Sequence, residues 1–325
     1  MNEPEVLARF EAQLDPAHPE AAPGVAIIGY GEVSTVFALA ELPGRVCKRM
    51  AGFRDGEAVE SYTGVVRRYL ELLAAEGVRV VETAIVPIER RRSAPVVYLV
   101  QPRLAAEGLG NHLLRCADDA RLRTCLDAIL SPIGRLLRAN RARRDGRSVT
   151  VDAQLSNWHF GAAGRDAGDP VLIDMGTPFM RKDGVDEIGV ELFLAPVPPG
   201  VRAFYRRARA VERYLDAFFD ARSLLVDAVA NFHKEGRPDR IGLALERVNR
   251  WLAEDVPDLG ARPIRAEDVD RYYRSDAKTL ELYLRARRLD RFVRTRLLRQ
   301  RYDFILPGAI RRSTPRAGGG SRTSR

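Results

Sequence analysis

Hydrophobic and polar positions change their period along this chain, and each change marks an element. Glu3 to Leu14 has helical spacing and ends at Asp15-Pro16 and His18-Pro19, since a residue preceding proline is pushed out of the α region. It reads as a short helix, an appendage to the β-rich segment that begins at Val25. There the pattern becomes the β-type runs VAIIG, STVFALAEL and RVCKRM, with Pro43-Gly44 as a turn, which fits three antiparallel strands. Glu57 to Glu76 spaces Val59, Tyr62, Val66, Tyr69, Leu70 and Leu73 three and four apart, an amphipathic helix that Gly77 closes. RVVETAIVPIE and APVVYLVQPRL add two more strands.

Beyond Leu104 the helical period takes over. GNHLLRC and ARLRTCLDAILSPIGRLLRANRARR predict a short and a long helix, with Pro132 a point for a kink. SVTV, NWHF and PVLID interrupt as short strands, joined by the turn-rich GAAGRDAGDP. From Val201 the runs FYRRARAVERYLDAFFDARSLLVDAVANF, RIGLALERVNRWLAE and AKTLELYLRARRLDRFVRTRLLRQRY are again helical, with Leu280, Leu284, Phe292 and Leu298 as candidate buried positions on the last. The expected organisation is an N-terminal helix and linker over 1–24, a β-rich lobe over 25–104, a helical lobe over 105–308 and a disordered basic tail over 309–325.

Composition narrows the class without naming a chemistry. A chain of 325 residues, 46% hydrophobic, has enough apolar material for a two-lobed domain, and its apolar runs are too short and too charge-interrupted for a signal peptide or a membrane span. The expectation is a cytoplasmic protein with no membrane partner. Cys47, Cys116 and Cys125 lack metal-type spacing and read as reduced thiols, and four scattered histidines form no zinc motif. The net charge of +9 is concentrated at one end: from Arg271 onward 16 Lys and Arg face 4 Asp and Glu, leaving about −3 for the first 270 residues. That end is expected to solvate the last helix, pair with acidic residues of the C-terminal lobe and steer an anionic substrate, rather than bind nucleic acid.

Several residues carry chemistry. In GYGEVSTVF, Gly29 and Gly31 free the backbone to approach an anion, which suits a β-hairpin over nucleotide phosphates, a dinucleotide fingerprint or an ordinary turn. STVF favours a returning strand over a helix, and Lys48 follows where a dinucleotide fold would place an acidic residue. A lysine within a strand needs an anionic partner if it is not solvated; Glu60 is the first candidate and Glu57 the second. Asp152 and Asn157 stand as Asp-x-x-x-x-Asn, and Asp174 as Asp-x-Gly after VLI. A carboxylate that meets an acceptor hydroxyl, followed by two oxygen ligands for magnesium, is what phosphoryl transfer requires.

In this order the motifs resemble the protein-kinase-like superfamily from about Val25 to about Phe179, and its small-molecule branch, the aminoglycoside phosphotransferase and choline kinase type, more than protein kinases. The resemblance implies an α+β two-lobed fold that uses ATP and Mg. It places Gly29, Gly31 and Ser34 over the phosphates, Lys48 on them with Glu60 as anchor, and Asp152 as catalytic base. Asn157 and Asp174 become the metal ligands, and the backbone of Gln101 to Arg103 the adenine-binding hinge. The chain departs from the pattern at Ser34 for a third loop glycine, Thr150 for a histidine, Gln154 for a lysine and Met175 within Asp-x-Gly, with no Ala-Pro-Glu downstream. The expected partner is a small molecule bearing a hydroxyl; a catalytically inactive nucleotide-binding module and a nicotinamide-dependent oxidoreductase are the alternatives.

Overall fold

The computed structural model describes residues 2–31, 33–91, 93–161 and 169–308. The tail over 309–325 and most of the connection after Gly161 lie outside the described residues.

Helix α1 (Glu3–Gln13) buries Val6, Leu7 and Phe10, whose spacing places them on one stripe. That stripe is no appendage. It packs on the outer face of an antiparallel sheet made by β1 (Val25–Tyr30), β2 (Ser34–Leu39), β3 (Arg45–Met50), β4 (Ala84–Ile88) and β5 (Val96–Pro102), in the order β1-β2-β3-β5-β4. Because strand side chains alternate, Phe37, Cys47, Tyr98 and Val100 meet α1, while Met50, Val97 and Leu99 turn towards helix α2 (Gly56–Ala75) and the rest of the molecule. Each such apolar side chain contributes about 1.5–3 kcal/mol on full burial. The chain's far end joins the outer cluster through Tyr302, Phe304 and Ile305, so both ends of the described chain fasten to the β-rich lobe.

A charged knot sits within that outer face. Arg49 Nε and Nη2 each donate to Glu11 at 2.7 Å, Tyr98 Oη donates to the same carboxylate at 2.5 Å, and Arg90 bridges Glu11 to Asp303. Burial would raise the Glu11 carboxyl, but Arg49, Tyr98 and Arg90 more than offset it and hold Glu11 below its ordinary value.

Helix α2 starts where Asp55 accepts the Ala58 N–H at 2.9 Å and ends at Gly77 with φ +72°. The run after it is not one strand. Only Ala84–Ile88 joins the sheet, while Val80 and Val81 bridge to Leu172 below, where the Val81 N–H donates to the Leu172 carbonyl at 3.0 Å.

The helical lobe continues with α3 (Gly110–Cys116) and α4 (Asp119–Ala142), which runs on through Pro132. Gly110 is needed: a Cβ there would lie 1.7 Å from the Leu155 carbonyl oxygen, so α3 can rest directly on the loop that carries the chemistry. Short strands β6 (Arg147–Val149), β7 (Trp158–His159) and β8 (Val171–Leu172) frame that loop, as their sequences predict. A further hairpin, β9 (Met180–Lys182) and β10 (Val185–Asp186), turns at Asp183-Gly184, both with positive φ. After α5 (Glu191–Leu194), the helical run forms three helices, α6 (Pro199–Arg207), α7 (Ala210–Phe219) and α8 (Ala221–Lys234). Arg209 is left-handed at φ 47°, and Asp220 caps α8 by accepting the Ser223 N–H. Helices α9 (Ile241–Glu254) and α10 (Ala266–Phe292) complete the lobe. Leu284 of α10 is buried, but Phe292 and Leu298 are exposed, contrary to expectation: Phe292 lies on the face turned away from buried Arg287 and Asp290, and Leu298 follows the π-type turn that ends the helix. Among the described residues no helix is long and apolar enough to cross a membrane. The whole is an α+β, two-lobed, kinase-like fold, with its cleft between sheet and helices.

Candidate active site

A cavity of about 320 Å³ opens between the lobes, at the small end of the ~300–1,000 Å³ usual for ligand sites. Its roof is Tyr30, Gly31, Val33 and Ser34, the turn between β1 and β2. The segment after Gly31 is strand, not helix, so the turn is a hairpin and lacks the strand-to-helix geometry of a dinucleotide fingerprint. At Gly31 a Cβ would meet Ser34 Oγ at 2.5 Å, a contact that rotation of the Ser34 hydroxyl relieves, and the Gly31 N–H donates to the Ser34 carbonyl at 2.9 Å to close the turn. Gly29 lies back along β1 at a bulge and is not in the cavity wall.

The floor collects the separated motif residues. Lys48 from β3, Asp152 and Asn157 from the loop after β6, and Asp174 and Gly176 after β8 all line the same cavity. Lys48 Nζ donates to Asp174 Oδ1 at 2.5 Å, and the Gly176 N–H donates to the same oxygen at 2.9 Å. Burial alone would raise Asp174, yet the Lys48 ammonium and that backbone N–H hold its carboxyl below the ordinary value. The lysine's carboxylate partner is thus Asp174. Glu60, expected there, is exposed on α2, as is Glu57. Helix α2 reaches the site through tyrosines instead: Tyr62 Oη donates to the Gly176 carbonyl at 3.0 Å and Tyr69 Oη to the Thr150 carbonyl at 2.9 Å.

The two residues named for the hinge, Gln101 and Arg103, are bonded within the protein. Gln101 Nε2 donates to Thr83 Oγ1 and to the Ile173 carbonyl, both at 3.1 Å, and the Arg103 N–H donates to the Gly44 carbonyl at 2.7 Å. These groups are committed to the protein, and neither residue lines the cavity. Gln101 serves as a brace between the sheet and the residue preceding Asp174.

Helix α8 supplies what the sequence reading overlooked. Asp227 Oδ2 accepts from Gln154 Nε2 at 2.7 Å, and Asn231 Nδ2 donates to Gln154 Oε1 at 3.2 Å and to Ser156 Oγ at 3.1 Å. Lys234 Nζ lies 3.4 Å from Asp227 and 3.5 Å from Asp276 of α10. The 152–157 loop is therefore cross-braced onto one helix face. Burial, then the neighbouring Asp227 carboxylate, pushes Asp152 up to about 7, against the Gln154 N–H and Lys234, which pull it down. In sequence the signal was present: Asp227, Asn231 and Lys234 stand at i, i+4 and i+7 in LLVDAVANFHK, which apart from His233 is otherwise apolar.

The donor set fits magnesium. The Asn157 amide and the Asp174 carboxylate face one cavity as hard oxygen ligands, and magnesium commonly takes its remaining ligands from phosphates and water. Among the described residues no group of three or more His, Cys, Asp or Glu forms a protein-only metal cage.

The five-stranded sheet, the helical lobe and the cleft that gathers the motif residues are those of a two-lobed α+β fold. The chain belongs to a family of unknown function, DUF6206, whose model matches residues 14–291. Among curated proteins no sequence matches it. Among solved structures it is similar to a chain titled "WaaP in complex with acyl carrier protein", at 16% identity and a TM-score of 0.31, over 80% of this chain and 98% of that one.

Proposed function

We propose that the protein is a phosphotransferase that uses ATP and magnesium to phosphorylate a hydroxyl of a small molecule, in the manner of the small-molecule branch of the kinase-like superfamily. The observation that carries this reading is the convergence of Lys48, Asp152, Asn157 and Asp174 on one cavity under the Gly31–Ser34 turn. Asp152, raised to about 7, is placed to orient an acceptor hydroxyl and take its proton near neutral pH. Magnesium, held by Asn157 and Asp174, would neutralise phosphate charge. Lys48 would shift part of its attraction from Asp174 to the phosphates when they arrive. Asp227, Lys234, Asp276 and Arg287 line the opposite wall and offer both signs of charge to the acceptor.

The Lys48–Asp174 pair also favours a second reading, in which nucleotide binds without transfer because lysine and metal ligand satisfy each other. Two measurements test the proposal. Thermal unfolding should shift upward with Mg-ATP, much less with ATP plus chelator, and not with NAD(H). A screen of hydroxylated metabolites should then show phosphate incorporation from labelled ATP. Stabilisation without any transfer supports the second reading, and no nucleotide effect at all rejects both.

A further inference from the structure

The distal end of α10 exposes side chains that a helix usually hides. Leu282, Leu289 and Phe292 are 59, 53 and 55% exposed, and at 100° per residue they fall within about 80° of one another around the helix. Leu284, Arg287 and Asp290 are buried on the opposite side. At the end of the π-type turn over Val293–Leu297, Leu297 and the following Leu298 are 66 and 56% exposed, and Arg299, left-handed at φ 52°, precedes the return of the chain to the β-rich lobe at Tyr302. Single exposed leucines are ordinary; a cluster at one helix end is the signature of a contact surface.

The charges around this cluster have one sign. From Lys278 to Arg301 there are nine Lys and Arg against two acidic residues. The anticipated pairing with acidic residues of the lobe is mostly local: Arg285 pairs with Glu281, Arg294 with Asp290 one turn back, and Arg301 with Asp303 and, at 4.0 Å, with Glu11 of α1. Arg288, Arg296 and Arg299 are exposed and have no carboxylate partner among the described residues.

We propose that this helix end docks on the surface of an anionic lipid bilayer. The leucines and Phe292 would enter the boundary between headgroups and acyl chains, and the exposed arginines would pair with headgroup phosphates. Recognition of a polyanion rests mainly on cations that neutralise phosphates and aromatic rings that stack on bases, and four exposed leucines beside one phenylalanine are a poor match to it. Leucine and phenylalanine interleaved with arginine match an interface that is apolar beneath and anionic above. The contact is peripheral, replaces the expectation of no membrane partner, and stands independently of the phosphotransfer reading.

Co-sedimentation of the full chain with vesicles tests it, using phosphatidylcholine alone and phosphatidylcholine mixed with phosphatidylglycerol. The wild type should pellet with the mixed vesicles, remain in solution with the neutral ones, and release as salt rises. One variant, Leu289→Ser with Phe292→Ser and Leu298→Ser, keeps every charge; another, Arg288→Gln with Arg296→Gln and Arg299→Gln, keeps every apolar group. Each should weaken binding by about 10-fold or more. Since all six side chains are exposed, the two variants report separately on the two halves of the contact. Undiminished binding by the serine variant would overturn the proposal. So would equal binding to both vesicle types, or tight RNA or DNA binding that the serine variant retains. A dimer that the serine substitutions dissolve would assign the face to a second copy and overturn it as well.

Discussion

Lys48 and Arg49 are neighbours on one strand and end on opposite faces of the sheet, each against a carboxylate. Arg49 and Glu11 are almost fully buried, with side-chain exposures of 2 and 1%, and Tyr98 and Arg90 complete the shell around Glu11. Lys48 and Asp174 are 13 and 41% exposed, and their pair forms the floor of an open cavity. Strand alternation explains the placement, and solvent explains the difference in role. A buried pair whose hydrogen bonds are all taken fastens α1 and the chain's end to the lobe. A half-open pair of the same chemistry can exchange a partner for a ligand, which is what a phosphate site needs.

The largest expected effect falls on the open side. If the protein is the phosphotransferase proposed above, in which this carboxylate meets the acceptor, Asp152→Asn should lower turnover by about 10²–10⁴-fold while leaving nucleotide affinity within a few-fold. Steady-state kinetics beside nucleotide titration measures both. Asp174→Asn should weaken Mg-ATP binding as well. Normal turnover in both variants would remove the site assignment.

On the closed side the effect is on stability. Arg49→Ala leaves Glu11 buried without its main partner and should cost about 3–5 kcal/mol by denaturant unfolding, whereas Lys48→Met should cost less than about 1 kcal/mol and abolish transfer. Replacing Glu11 and Arg49 together by apolar residues of similar volume should recover most of the loss. Should Lys48→Met destabilise as much as Arg49→Ala, the contrast between the two faces fails.

The two faces also titrate with opposite sign. Glu11 lies below its unfolded value near 4.5, so the native state binds fewer protons; its contribution is complete above that pH and is lost as pH falls through the lower folded value. Asp152 is raised from 3.8 to about 7, so the native state holds the extra proton and stability falls as pH rises across that interval. In the ligand-free protein, Asp152→Asn should therefore gain on the wild type between about pH 4 and about pH 7, and the gain should level off above. Unfolding free energies at a series of pH values decide it; a variant whose difference from the wild type is flat across this range contradicts the raised carboxyl.

Legibility in the sequence depended on how locally each feature is encoded. The strands, α2 and the loop residues Asp152, Asn157 and Asp174 were legible because period, turn chemistry and chain order are written in short stretches. The hairpin at Asp183-Gly184 was equally local and was passed over. The partners across the cleft were not legible: Glu60 was chosen for its spacing along α2, but whether its carboxylate turns to Lys48 or to water depends on how the helix is rotated against the sheet. Tyr62 and Tyr69 settle that rotation by bonding to the Gly176 and Thr150 carbonyls. The bonds of the Gln101 side chain to Thr83 and Ile173 and of the Arg103 N–H to Gly44 were not legible either, since they depend on how distant segments meet. Asp227 and Asn231 were hidden for the opposite reason, as two polar residues in a helix whose period announces core.

The smallest effect is the sharpest check on that rotation. Glu60 is exposed on α2 and Lys48 already has Asp174 at 2.5 Å, so Glu60→Ala removes no contact that holds the site. Helix propensity favours alanine slightly over glutamate, and the change in stability should stay within about 0.5 kcal/mol. Turnover and Mg-ATP affinity should be unchanged. Tyr62→Phe, which deletes only the hydroxyl bonded to the Gly176 carbonyl, should cost about 0.5–1.5 kcal/mol and disturb the turn after Asp174. A large loss of turnover in Glu60→Ala with none in Tyr62→Phe would mean that α2 rotates to bring Glu60 onto Lys48 in the working enzyme. The Lys48–Asp174 pair would then describe the resting state alone.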